Sequence, residues 1–477
     1  LPMKPLLAIF SLAAALAAAF AARAGAVDPG GPIETPGMAV VADGQGVRAP
    51  GYVFRDACRK PGPWRARWIW TSSDAPERGW FRKTVTLAAA PTNVTAWLTA
   101  DVKYRLWVNG RLASRGPVDM GRDYAGGETR RWFYDRRDLT PLFKKGRNVI
   151  AAEVFRKWPI GFTVSRGQPG LLFEAQADGV TVTSDASWRA TPATDAYGWQ
   201  DPDFDDAAWP AAREVQDVWE PLIPSEIPPL MEARYPAARI EGLPANKTLA
   251  KDGAFTVVFD RVLSAYPQVR VKGGRGATLT VKAHRQAAFA LAGGEETLEV
   301  PFMDEIAPAY TVELKHVTEP VEIENACAVF TSQPVDYRGS FACSDERLNR
   351  LWQVSRWAVQ ICLQTHHLDS PNHQEPISDP GDYVIEAMVN DYAFAQPWLA
   401  RQDVRKFAWL LADEKYSNFH TSYSIAWLQM LMDDYDFTDD APLVAEMAPY
   451  AYGLMEAYAS WRGANGLISE APNYMFM

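Results

Sequence analysis

Ser344-Asp345-Glu346-Arg347-Leu348-Asn349-Arg350-Leu351-Trp352 is the stretch at which the chain changes period. Ser344 can cap a helix, and Asp345 and Glu346 fall in its first turn, where the helix dipole favours negative charge. Leu348, Leu351, Trp352, Val359 and Cys362 then recur at helical spacing. Further helices are predicted over 382–394, 403–412, 424–433 and 442–460, separated by short Pro, Asp or Asn/Gly breaks, as in successive α-hairpins. Upstream of Ser344 the texture is β. Tyr104-Arg105-Leu106-Trp107-Val108 alternates, and Asn109-Gly110 supplies a hairpin turn whose positive φ angles suit those two residues. Strands are also predicted at 148–154 and 180–183. In a second region they are predicted at 255–259, 268–271, 277–281, 310–314 and 321–330, with Lys272-Gly273-Gly274-Arg275-Gly276 as a turn. Short strands without helical period imply sandwiches or jelly rolls.

The predicted order is a signal peptide (1–26), a Gly/Pro-rich lead-in (27–63) and a first β-sandwich of accessory, carbohydrate-binding type (64–215). A Pro-rich, extended linker (216–235), a second sandwich (236–337) and a helical domain (338–477) follow. The sequence stops at Met477 without a terminating turn or polar tail, and five helices do not close a large helical toroid. The chain is therefore expected to be cut inside its last domain.

The 477 residues suit two to four domains at about 100–200 residues each. Lys and Arg number 48 against 58 Asp and Glu, a formal charge of −10, so there is no basic surplus to neutralise nucleic-acid phosphates. The 48% apolar and 22% charged fractions are those of a globular protein. Trp is abundant at 18 residues, which suits flat sugar faces and β-rich cores alike. Cys58, Cys327, Cys343 and Cys362 are too few for a disulfide scaffold and form no zinc pattern, but leave room for one disulfide in an oxidising compartment. Met3-Lys4-Pro5, the apolar run 6–22 and Ala24-Gly25-Ala26 have the order of a secretory signal, with a mature start near Val27. The other reading of that run is a membrane anchor, for which it falls short of the roughly 20 residues of a span. A secreted or periplasmic bacterial protein, with no membrane or nucleic-acid partner, is expected.

The candidate chemistry lies in Leu368-Asp369-Ser370-Pro371-Asn372-His373-Gln374-Glu375-Pro376-Ile377-Ser378-Asp379-Pro380-Gly381-Asp382, a loop between two helices beside His366 and His367. Crowded carboxylates raise one another's pKa, and a carboxylic acid kept protonated can donate to a leaving group. Glycoside hydrolysis asks for such an acid, a carboxylate partner and groups that hold sugar hydroxyls. The same loop also reads as a solvated acidic turn in which Asp382 caps the next helix, or, with no fixed ligand spacing, as a cation site. Asp201, Asp203, Asp205 and Asp206 offer a second choice between a Ca2+ site and a solvated turn. Neither cluster is assigned to a metal, and no cofactor is implied.

The helical part resembles the catalytic domain of glycoside hydrolase family 78, the α-L-rhamnosidases. Asp369-Ser370-Pro371, Glu375 and Gly381-Asp382 stand at the spacings of that family's Asp-Cys-Pro, Glu and Gly-Trp-x-Gly-Asp pattern. Gly339 to Asp345 with Leu348, Asn349 and Trp352 is similar to the entry into its first helix. Ala66-Arg67-Trp68-Ile69-Trp70, Phe81-Arg82-Lys83, Tyr104, Asn109-Gly110 and Phe204 to Trp209 resemble its N-terminal accessory sandwich. The resemblance implies all-β sandwich (jelly-roll) domains followed by an incomplete (α/α)6 six-hairpin toroid, and inverting removal of terminal α-L-rhamnose from a carbohydrate substrate. It places Glu375 on the general acid, Asp369 and Asp382 on carboxylates that grip the sugar, and Trp427 among pocket aromatics. The family's general base falls on a Glu beyond Met477, so the chain as given is expected to lack it. Ser370 replaces Cys, His373 stands where Arg is common, Pro376 replaces Arg, and Ser378-Asp379 replace Gly-Trp. His373 can take over the orienting hydrogen bond, and Glu470 can add a carboxylate to the cavity. The alternatives are a non-catalytic carbohydrate-binding protein and a six-hairpin glycosidase acting on another sugar.

Overall fold

The computed structural model describes residues 58–72, 77–118, 131–156, 168–193, 197–216, 218–306, 308–372, 380–418, 420–469 and 471–472. The lead-in before Cys58 and the predicted signal segment lie outside them.

The first sandwich stacks two sheets. In one, strand Arg78–Leu87 runs antiparallel to Gly146–Phe155 along its whole length, followed by Lys103–Val108 and Arg111–Gly116. The turn between the last two is Asn109-Gly110, with φ of 53° and 77°. Asn109 is also fixed from its side chain, which donates to the Leu142 carbonyl (2.8 Å) and accepts from the Val149 amide (3.0 Å). At Gly110 a Cβ would lie 2.7 Å from the Asp201 carboxylate, so both conformation and space require glycine. The facing sheet is built on Gly170–Ala177 and Val94–Asp101. Trp70, Phe81, Tyr104, Phe173 and Trp188 fill the space between the sheets.

In the acidic turn 201–206, Asp201, Asp203 and Asp205 are exposed, as a solvated turn predicts, while the turn's backbone and Asp206 cap a buried charge. Arg82 is fully buried, and its guanidinium donates to Asp206 Oδ2 (2.8 Å) and to the carbonyls of Trp199, Asp201 (3.1 Å) and Phe204 (3.3 Å). A buried guanidinium needs this many acceptors, and the loop provides them.

The Pro-rich stretch is extended, and it is built into both sandwiches. Leu222–Pro224 pairs in parallel with Trp132–Tyr134 of the first, and Met231–Pro236 pairs antiparallel with Val321–Ser332 of the second. In both cases the Pro-containing segment lies at the end of its sheet order, where a missing N–H costs least. In the second sandwich, Leu263–Gly273 pairs with Val321–Ser332 on one sheet, while Gly253–Val258, Ala309–Lys315 and Thr278–Lys282 form the centre of the other. Gly273, Gly274 and Gly276 all have positive φ in the predicted turn.

Five described helices follow: α1 (Glu346–Cys362), α2 (Pro380–Ala393), α3 (Trp398–Asp413), α4 (Tyr423–Thr438) and α5 (Ala441–Ser460). Asp345, rather than Ser344, caps α1, accepting from the Arg347 amide at 2.9 Å. The carboxylate is the better acceptor at a helix N-terminus. Trp357 of α1 stacks on Phe330 and donates to the Val262 carbonyl (2.9 Å), docking the helices on the second sandwich. α2 packs on α4, and α3 packs on α4 and α5. Helices α1, α2, α4 and α5 also present large apolar side chains to solvent, among them Leu351, Ile385, Ile425 and Tyr452.

The disulfide for which the cysteine count left room does not form. All four thiols are free, and burial pushes those of Cys58 and Cys327 up to about 11. No described helix is long and apolar enough to cross a membrane.

Candidate active site

The segment between α1 and α2 begins with Leu363, whose carbonyl accepts from the Gln333 amide (2.7 Å) of the second sandwich. Gln364 is buried, and its side-chain amide donates to the Thr331 carbonyl (2.8 Å). Gln402 of α3 donates to the Thr365 carbonyl (3.0 Å). The carbonyls of Leu363 and Thr365, and the side chain of Gln364, thus tie the start of this loop to the second sandwich and to α3.

The strongest hold comes from Asp403 of α3. One of its oxygens, Oδ2, receives both the His367 amide (3.0 Å) and His367 Nδ1 (2.9 Å), while Oδ1 faces Lys406 Nζ (3.3 Å). His367, Asp403 and Lys406 are all 1% exposed or less. Burial alone would raise the Asp403 carboxyl, but the Lys406 charge and the His367 hydrogen bond outweigh it and hold Asp403 below its ordinary value. The Asp403 carboxylate thus holds the His367 ring from its Nδ1 side. Nε2, on the other side of the ring, is buried with no partner among the described residues.

Past this clamp the chain surfaces at Asp369, which is exposed and accepts from the Ser370 amide (2.6 Å). Asn372 then ties the loop to the second sandwich. Its carbonyl accepts from Arg285 (2.7 Å) and its side-chain oxygen from the Glu305 amide (3.1 Å). Asp382 lies half-buried in the first turn of α2, where the helix dipole favours its charge. Gly381 before it lies against Tyr423, where a Cβ would stand 2.5 Å from the ring. Aromatic and imidazole rings gather around this turn: His366 beside Tyr383 at 6.2 Å, and His420 beside Tyr423 at 5.0 Å.

The site is strongly acidic. Burial raises the Cys362 thiol far above its ordinary value, and the charges of Glu386, Asp369 and Glu305 raise it further, so this cysteine stays a neutral thiol. Glu386 lies one turn beyond Asp382 on α2, and an i, i+4 search from Asp382 would have found it. Glu305, Arg285 and Asp403 reach the loop from distant segments and leave no local signal. Among the described residues no cluster of His, Cys, Asp and Glu is arranged to hold a metal ion.

Of the residues singled out in the sequence, Asp369 and Asp382 stand at the two described ends of one loop. Glu375, His373 and Glu470 lie outside the described residues. Trp427 is fully buried in the helical core, tilted against Phe407, with its indole N–H on the Val404 carbonyl (2.9 Å). Its place among the described residues is in the packing between α3 and α4.

Residues 336–471 match the model of the bacterial α-L-rhamnosidase six-hairpin glycosidase domain. The α-L-rhamnosidase of Streptomyces avermitilis is 31% identical over 166 residues, covering 32% of this chain and 14% of that protein. The chain thus spans about one seventh of this curated relative. The crystal structure of the family 78 rhamnosidase of Bacillus sp. GL1 superposes with a TM-score of 0.75 at 16% identity, over 87% of this chain and 71% of that one. The S. avermitilis α-L-rhamnosidase complexed with L-rhamnose superposes with a TM-score of 0.55 at 17% identity, over 85% of this chain and 59% of that one. At these identities the likeness is one of fold.

Proposed function

We propose that this chain belongs to glycoside hydrolase family 78 and serves to remove terminal α-L-rhamnose from glycans or glycosides, a reading supported by the match of its six-hairpin domain. The observation that carries this reading is the loop whose ends bear Asp369 and Asp382, clamped by Asp403 on one side and by Arg285 and Glu305 on the other. Catalysis by proton transfer needs groups held in place before the substrate arrives. Glu375, on that loop, protonates the departing glycosidic oxygen. Asp369 and Asp382 accept hydrogen bonds from the ring hydroxyls, and the acidic surroundings favour the protonated form of the acid. A second carboxylate on the opposite face of the sugar activates water, so the anomeric centre inverts. The lysine-led, apolar N-terminal run supports export to the periplasm or medium, where such glycans are met.

The test is Glu375→Gln in the full-length gene product with an aryl α-L-rhamnoside. Turnover should fall by about 10²–10⁴-fold, the usual worth of a general acid, with the melting temperature unchanged. Near-wild-type hydrolysis by a folded variant would remove Glu375 from the reaction.

A further inference from the structure

A cleft of about 780 Å³ separates the two sandwiches, within the range of about 300–1,000 Å³ that suits bound ligands. Its floor is the outer face of the sheet that carries the Asn109-Gly110 turn. Trp80 and Trp107, both half-buried, lie on this face, and Trp199 meets Trp107 edge-on at 5.2 Å. The opposite wall belongs to the second sandwich. Two bridges fix the spacing of the walls. Arg115 pairs with Glu232 (2.7 Å) and Glu299 (2.5 Å), and the Tyr197 hydroxyl accepts from the Thr297 amide (3.0 Å). The cleft is therefore a pre-formed space rather than a gap that could close on itself.

Most of the carboxylates lining it are already engaged. Glu153 takes Arg105 (2.9 Å), Glu232 and Glu299 take Arg115, and Glu296 takes the amides of Ala292 (2.8 Å) and Gly293 (3.0 Å). Two lining guanidiniums are not engaged. Arg111 on the first sandwich and Arg234 on the second are exposed on opposite walls, and neither makes an ion pair among the described residues. Asp201, beside Gly110, is the opposing charge.

We propose that this cleft binds an anionic saccharide bearing uronic acid carboxylates. Pyranose rings stack on Trp107 and Trp80, and carboxylates pair with Arg111 and Arg234. Indole faces suit the C–H face of a sugar ring, and the planar guanidinium fork matches a carboxylate. The proposal does not depend on the glycosidase reading, because no residue of the acidic loop lines the cleft.

Calorimetric titration of the protein with tetragalacturonate, in parallel with the same oligosaccharide reduced to its neutral alcohol form, tests it. The acid form should bind at least about tenfold more tightly, one charge-assisted contact's worth, and added salt should weaken it. Arg111→Gln combined with Arg234→Gln should erase that preference. Both side chains are exposed and make no ion pair among the described residues, so an unchanged melting temperature verifies the fold of the double variant. Trp107→Ala should weaken the acid and neutral forms alike. Absence of binding by either oligosaccharide, equal affinity for the two, or a preference that survives in the double variant would overturn the proposal.

Discussion

In the second sandwich, Val257, Val269, Val271, Leu279, Val281, Val312 and Leu314 are fully buried against one another, and the interior between the sheets is almost wholly apolar. In the helical domain, α3 buries Arg401, Gln402, Asp403, Arg405 and Lys406 beside its apolar residues. The two interiors pursue different ends. Apolar burial is non-directional, and it holds a sheet pair together without choosing which loop goes where. A buried charge costs several kcal/mol unless a particular partner meets it, so each one selects a neighbour. Arg401 selects Asp440 (3.2 Å) at the N-terminus of α5. Arg405 selects Glu226 (2.6 Å) in the Pro-rich stretch and Glu446 (3.1 Å) on α5. Asp403 selects His367 in the candidate active-site loop. Helix α3 is thus the element that places the loop, and its polarity is the means.

The largest expected effect that separates the two interiors is at Arg405. Arg405→Ala strands Glu226, the more buried of its two partners, together with Glu446, and should cost about 3–5 kcal/mol in denaturant unfolding. Adding Glu226→Gln should recover about 0.5–3 kcal/mol of that loss through their coupling. As a control, Leu279→Ala in the sandwich should cost a comparable amount, about 2–5 kcal/mol, with no single partner able to restore it. Additive behaviour of Arg405 and Glu226 would erase the distinction between the interiors.

A smaller effect is expected at Asp391 on α2. Burial, with the charges of Asp434 and Asp433, raises its carboxyl to about 7 from 3.8. A raised value means that the folded state holds the proton more tightly than the unfolded chain does. Asp391 therefore costs stability as pH climbs from about 4 to about 7, and the cost is constant above that. Asp391→Asn should stabilise the protein at pH 8 by about 1–3 kcal/mol, with the gain vanishing towards pH 4. Melting curves at the two pH values check this, and a gain of equal size at both would reject the sign.

The legible and illegible parts of the fold divide along the same line. Where one residue type meets a local demand, the sequence was enough: positive φ at Asn109-Gly110, and helical recurrence of Leu348, Leu351 and Trp352 after the caps. Pairing across distance was not visible. The helix expected from 403 begins at Trp398, and its charged run Arg401 to Lys406 is buried because Asp440, His367 and Glu226 are brought to it from elsewhere in the chain. That Asp206 and the carbonyls of this turn serve Arg82 has no local signal, because Arg82 lies more than a hundred residues earlier. The proline content of 216–235 spoke for an extended segment but not for the two sheets that it joins. In the candidate site, spacing singles out Asp369 and Asp382, which stand at the two described ends of one loop. Trp427, which the resemblance places among pocket aromatics, is fully buried in the core.

Following the hydrolysis of an aryl α-L-rhamnoside by the full-length gene product with NMR, in the first minutes before mutarotation, tests the acid loop and its water-activating partner together. Early release of β-L-rhamnose is the predicted result. Early release of α-L-rhamnose, or no release of rhamnose at all, would contradict an inverting rhamnosidase built on this loop.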